Sequence, residues 1–182
     1  MNGVIAMKYR SFTALGLALA ALVILGGCSD NRPYETAMCA LADTSGTYAD
    51  QKKNVARIIK AGVVSEMMPG DSLFLITIDS NSYKEENLKN KLTLDYIPSR
   101  ANEQRLSFAK SLDKFAGGSE RSKYTDISGA MMLCSDYLKS TGSGHQAMLI
   151  FSDMQEDLEH GLRRTFTKDQ FQGIHVDRKS VV

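Results

Sequence analysis

The chain has 182 residues, 43% of them hydrophobic and 24% charged, with a formal net charge of +1. One domain of ordinary size fits that length, and the composition excludes a disordered or collagen-like chain. Residues 1–27 hold Lys8 and Arg10 and no acid. Without them 20 basic side chains face 21 acidic ones, which gives no electrostatic reason to expect nucleic acid as a partner.

At the amino end, Lys8 and Arg10 precede an apolar stretch from Phe12 to Leu25. It is short for a membrane-spanning helix and suits a signal sequence over residues 1–27. The stretch closes with Leu25-Gly26-Gly27-Cys28, which resembles the bacterial lipobox. That resemblance implies cleavage before Cys28 and acylation of the new terminus. Several acyl chains on one residue anchor stably, because each buried methylene contributes roughly 0.8 kcal/mol. Ser29 in the next position implies the outer membrane, on its periplasmic side. Residues 28–34 are expected to form a lipidated polar tether. The domain is expected over 35–176. At the far end, Asp177 to Val182 reads as a translated sequencing adapter, with the natural sequence cut off after Val176.

Thr36 to Ala42 is a nearly unbroken apolar run, as in a strand buried on both faces, and a polar loop, Asp43-Thr44-Ser45-Gly46-Thr47, follows it. Asp50 to Met68 has helical periodicity, and Pro69-Gly70 stops it. Leu73 to Ile78 is a second buried strand. Leu92, Leu94 and Tyr96 alternate with polar residues like a half-exposed edge strand. A helix follows Pro98, with Leu106, Ala109, Leu112 and Phe115 or Ala116 as its apolar stripe. A third helix opens at Thr125-Asp126, either of which suits the cap, and carries Ile127, Ala130, Met131, Cys134, Tyr137 and Leu138 on one face. Ala147 to Phe151 is a third buried strand ending in Ser152-Asp153. A weaker helix within Leu158 to Phe171 and a strand from Gly173 to Val176 complete the pattern. Buried strands alternating with amphipathic helices predict an α/β fold, three-layered and doubly wound. Its sheet is mostly parallel with one antiparallel edge strand.

In such sheets ligands bind beyond the carboxyl ends of the strands. Asp43, Ser45, Thr47, Thr125 and Asp153 all fall at that edge. Two carboxylates and three hydroxyls form an oxygen-only set, which suits a hard cation such as Mg2+, or Mn2+ or Ca2+. Asp43-x-Ser45-x-Thr47 resembles the Asp-x-Ser-x-Ser signature of von Willebrand factor A domains. Thr125 in Tyr-Thr-Asp-Ile-Ser-Gly-Ala and Asp153 in Leu-Ile-Phe-Ser-Asp resemble the other two parts of that family's metal-ion-dependent adhesion site. The resemblance implies direct or near-direct contact of Ser45, Thr47 and Thr125 with the ion. Asp43 and Asp153 would act through water, and an acidic side chain of a protein partner would complete the shell. Two departures stand out: Thr47 adds a methyl, and Asp153 is flanked by Ser152 and Met154 where many members carry Thr and Gly.

Other readings compete. The same Asp43-Thr44-Ser45-Gly46-Thr47 run also resembles the haloacid-dehalogenase phosphatase motif, with Asp43 as nucleophile and Asp153 and Asp157 as the later acids. The general acid of that chemistry is Ser45 here, which disfavours an enzyme. A metal-free structural lipoprotein on the same fold is the third reading. Cys39, in the first strand, and Cys134, on the third helix, could pair as a disulfide in an oxidising compartment or pack as buried thiols.

Overall fold

The structure, a computed structural model, describes residues 32–179. Its elements are β1 (Arg32–Asp43), a 3-10 turn (Gly46–Gln51), α1 (Lys52–Ile59) and β2 (Ser72–Ile78), then β3 (Leu88–Thr93), α2 (Pro98–Gly117), α3 (Ile127–Ser140), β4 (Ser143–Phe151) and β5 (Ile174–Arg178). The sheet runs β3-β2-β1-β4-β5. β1 is parallel to both neighbours, with Cys39 beside Phe74 of β2 and Met148 of β4, and β5 is parallel to β4. Only β3 is antiparallel, with Leu73 opposite Leu92. This is the expected α/β layering with its single antiparallel edge.

The two-residue period of β1 sorts its side chains to opposite faces. Ala40 and Ala42 join Val55 and Ile59 of α1 and Phe108 and Leu112 of α2 in one core. Cys39 and Leu41 join Ile127, Ala130, Cys134 and Leu138 of α3 in the other. β2 is buried along its whole length, and β1 from Cys39 to Asp43, so neither face of these segments meets water. Fully burying one such Leu or Ile contributes about 1.5–3 kcal/mol, and removing it costs a cavity as well.

Several local expectations are corrected. β1 begins at Arg32, so residues 32–34 of the expected tether are strand. The helix expected over residues 50–68 starts as a 3-10 turn and ends in a π turn, Lys60–Val64. There Ser65 N donates to Lys60 O at 3.3 Å, and the wider turn lets both Val63 and Val64 reach the core. The edge strand lies at Leu88–Thr93, earlier than the Leu92 to Tyr96 alternation suggests. On α2 the buried face is Ala101, Phe108 and Leu112, whereas Leu106 is exposed. No helix forms within Leu158 to Phe171, where turns and irregular chain run instead. β5 extends through Asp177 and Arg178, which pair with Leu149 and Ile150. The expected signal sequence and Cys28 lie outside the described residues.

Candidate metal centre

β1 ends at Asp43, and its carboxylate is buried at the carboxyl edge of the sheet. Asp43 Oδ1 accepts from Ser45 N at 2.8 Å and Ser45 Oγ at 2.6 Å. Asp43 Oδ2 accepts from Ser152 Oγ, at the end of β4, at 2.7 Å. Thr125 Oγ1 in turn donates to Ser45 Oγ at 2.6 Å. Three loops thus meet through one chain of hydroxyls ending on a carboxylate. Gly46 makes the sharp turn after Ser45, with φ +47°. An L-residue with a side chain rarely adopts that angle.

Backbone bonds lace the loops together. Ser122 N donates to Thr44 O at 3.0 Å. Thr125 and Asp157 exchange two bonds, Thr125 N to Asp157 O at 2.8 Å and Asp157 N to Thr125 O at 3.0 Å. The cap of α3 falls to Asp126, whose Oδ1 accepts from Gly129 N at 2.8 Å. That frees the Thr125 hydroxyl for the site. Gly129 is required beside this cap, because a Cβ there would sit 2.3 Å from Asp126 Oδ2.

Of the five expected ligands, Asp43, Ser45 and Thr125 are in contact. Asp153 stands next to Ser152 but is exposed, and its Oδ1 accepts from Gln155 N at 2.9 Å within its own loop. The backbone of Thr47 lies in the 3-10 turn that opens on this edge, and its side chain lies outside the described residues. Met154 holds φ +66°, the left-handed conformation that glycine takes without cost, so the loop keeps its turn despite the larger residue.

Sequence reasoning missed a second polar knot behind the site. Asp126 is fully buried and faces Arg164, whose Nε lies 3.1 and 3.2 Å from its two oxygens. One terminal nitrogen of Arg164 lies 2.6 Å from Asp126 Oδ2 and 2.8 Å from Asn81 Oδ1. Ser82 N also donates to Asp126, at 2.8 Å. Hydrogen bonding to Asp126 holds the guanidinium even more firmly in its charged form than usual. An isolated Arg in an irregular segment gives no periodic signal, so only the fold reveals its partner.

The donor chemistry fits a hard cation. Among the described residues no three His, Cys, Asp or Glu side chains converge as ligands, so an ion here would rest mainly on hydroxyls. Octahedral Mg2+ with bonds of about 2.1 Å sets neighbouring oxygens about 3.0 Å apart. The Thr125, Ser45 and Asp43 oxygens, 2.6 Å apart in sequence along their hydrogen bonds, would have to spread by a few tenths of an ångström and turn their protons outward.

No family profile matches the sequence, and no curated protein matches it. Among solved structures, an aerotolerance-related membrane protein from Bacteroides fragilis superposes with a TM-score of 0.52 at 18% identity, over 79% of this chain and 65% of that one. The fold is von Willebrand factor A-like. BatB from Bacteroides thetaiotaomicron gives a TM-score of 0.48 at 17% identity, over 79% of this chain and 64% of that one. The pilus adhesin SpaC of Lactobacillus rhamnosus gives 0.39 at 16% identity, over 69% of this chain and 15% of that one. The von Willebrand factor A-like chain thus spans less than two thirds of the length of each of these proteins. In it, Cys39 and Cys134 are free, fully buried thiols. Burial, with hydrogen bonding to Cys39, pushes the Cys134 thiol well above its ordinary value.

Proposed function

We propose that the chain is a membrane-anchored lipoprotein whose von Willebrand factor A-like domain binds a protein partner through a divalent metal. Cys28 carries the lipid, and the domain faces the periplasm from the outer membrane. Asp43, Ser45, Thr47, Thr125 and Asp153 hold Mg2+, or Mn2+ or Ca2+ in its place. The observation that carries this reading is the convergence of Thr125, Ser45 and Asp43, residues from two separate loops, in one hydrogen-bonded set. Bound there, the ion supplies an electron-poor coordination position for a carboxylate. The neutral hydroxyls leave much of its charge uncompensated, so an acidic partner side chain is attracted to it. Ser152 and Ser45 hold both oxygens of Asp43 in place, and the backbone exchange with Asp157 holds Thr125. We read the protein as a binding module and not an enzyme, because Ser45 stands where phosphatase chemistry requires an acid.

Calorimetric titration of the full chain with Mn2+ and with Mg2+ tests this. One ion should bind per chain, and Asp43→Ala should abolish the binding while the far-ultraviolet dichroism stays native. Wild-type chain that takes up neither ion, or an Asp43→Ala variant that binds as tightly as wild type, would refute the metal reading.

A further inference from the structure

The end of the sheet opposite the metal centre carries a group of exposed apolar side chains. Nine large hydrophobic side chains are exposed among the described residues. Four of them belong to this end: Tyr34 (91%), Met68 (66%), Tyr96 (64%) and Ile97 (47%). They come from the start of β1, the turn before β2 and the loop between β3 and α2. Contacts bind these three segments together. Tyr96 Oη donates to Glu35 Oε1, and Gly70 N donates to Leu94 O at 2.8 Å. Asp71 accepts from Thr36 N at 2.8 Å and from Met68 N at 2.7 Å.

The polar side chains of this end are tied to neighbours. Tyr96 covers Glu35, and Asp95 lies 3.5 Å from Arg100. Tyrosine with an apolar body and a polar tip, beside Met and Ile, suits the interface between lipid headgroups and acyl chains.

We propose that this surface rests on the phospholipid bilayer, oriented by the lipid on Cys28. The inference depends on the lipoprotein reading above but not on the metal. Cys28 precedes Arg32 by four residues in the sequence. Four residues of any conformation reach at most about 14 Å, which leaves the β1 start little freedom to leave the membrane surface. With Glu35 and Asp95 beside Arg100 and no basic cluster, the patch has no electrostatic need for anionic lipid. From Thr36 to Asp43, seven steps of parallel strand span about 23 Å. The metal centre is thereby held off the membrane and turned towards the periplasm, where a partner can reach it.

The chain contains no tryptophan, so one introduced indole reports alone. The mature protein, purified from membranes, is placed in vesicles of phosphatidylethanolamine and phosphatidylcholine brominated at carbons 6 and 7. Emission of Tyr34→Trp and Tyr96→Trp should fall about twofold relative to unbrominated vesicles. Emission of Tyr83→Trp, near Arg164 at the site end, should not change. Equal quenching at all three positions, or none at 34 and 96, would overturn the orientation. Burial of those indoles with no response to bromine would assign the surface to a second copy or another protein and overturn it equally. Mass spectrometry of the amino-terminal peptide reads the anchor separately: an unacylated Cys28 would refute the lipoprotein reading, and this inference with it.

Discussion

At Met154 the backbone lies at φ +66°, and the side chain is 41% exposed. Left-handed backbone costs a residue with a Cβ roughly 1–2 kcal/mol, and the exposed methionine regains only part of that by packing. Met154→Gly should therefore stabilise the domain by up to about 1 kcal/mol, after allowing for the extra freedom of glycine in the unfolded chain. Urea unfolding would show this as a higher midpoint with unchanged slope. A midpoint lowered by the substitution would mean that the methionine side chain contributes more than the turn costs. Ser45 carries a comparable weight. Its one hydroxyl accepts from Thr125 and donates to Asp43, so it alone links the second loop to the carboxylate.

Between elements, the segment after β4 is tied down by a buried ion pair and by bonds to α3 and Thr125, and not by helical packing. Arg164 and Asp126 are nearly enclosed, with 13% and 0% of their side chains exposed. Breaking such a pair by removing one partner costs about 3–5 kcal/mol, because the other charge stays buried. Arg164→Met should show a loss of that size in chemical denaturation, and adding Asp126→Asn should recover part of it. A loss below about 1 kcal/mol would mean that water reaches Asp126 and the pair is not the clasp. This clasp also explains the one helix expected but not formed. Leu158 to Phe171 has some helical spacing, yet Asp157 just before it is bonded to Thr125, Arg164 is drawn to Asp126, and Gly161 takes a left-handed turn. By contrast β2, β4 and α3 were legible because burial on both faces, or on one helical stripe, writes a period into the sequence. The start of β1 was not legible: Arg32, Pro33 and Tyr34 look like a tether and become strand only beside Ser143 and Gly142.

At the scale of the whole domain, the parallel connections direct Asp43, Ser45, Ser152 and Asp153 to one edge of the sheet. The opposite edge carries the exposed Tyr34 and Tyr96. The motif residues alone indicated which side chains would gather, and for Asp43, Ser45 and Thr125 the structure gathers them. Asp153 is the position where sequence and geometry part, since its carboxylate folds back on Gln155 N. Breaking that single bond would let the carboxylate turn towards Ser152 and the ion, which makes its position the most informative one. Crystals grown with Mn2+ and measured at an X-ray energy just above the manganese edge test this most directly. One anomalous peak is expected about 2.2 Å from both Ser45 Oγ and Thr125 Oγ1, with Asp153 rotated towards it. A peak elsewhere on the chain, or none with Mn2+ in large excess, would contradict it.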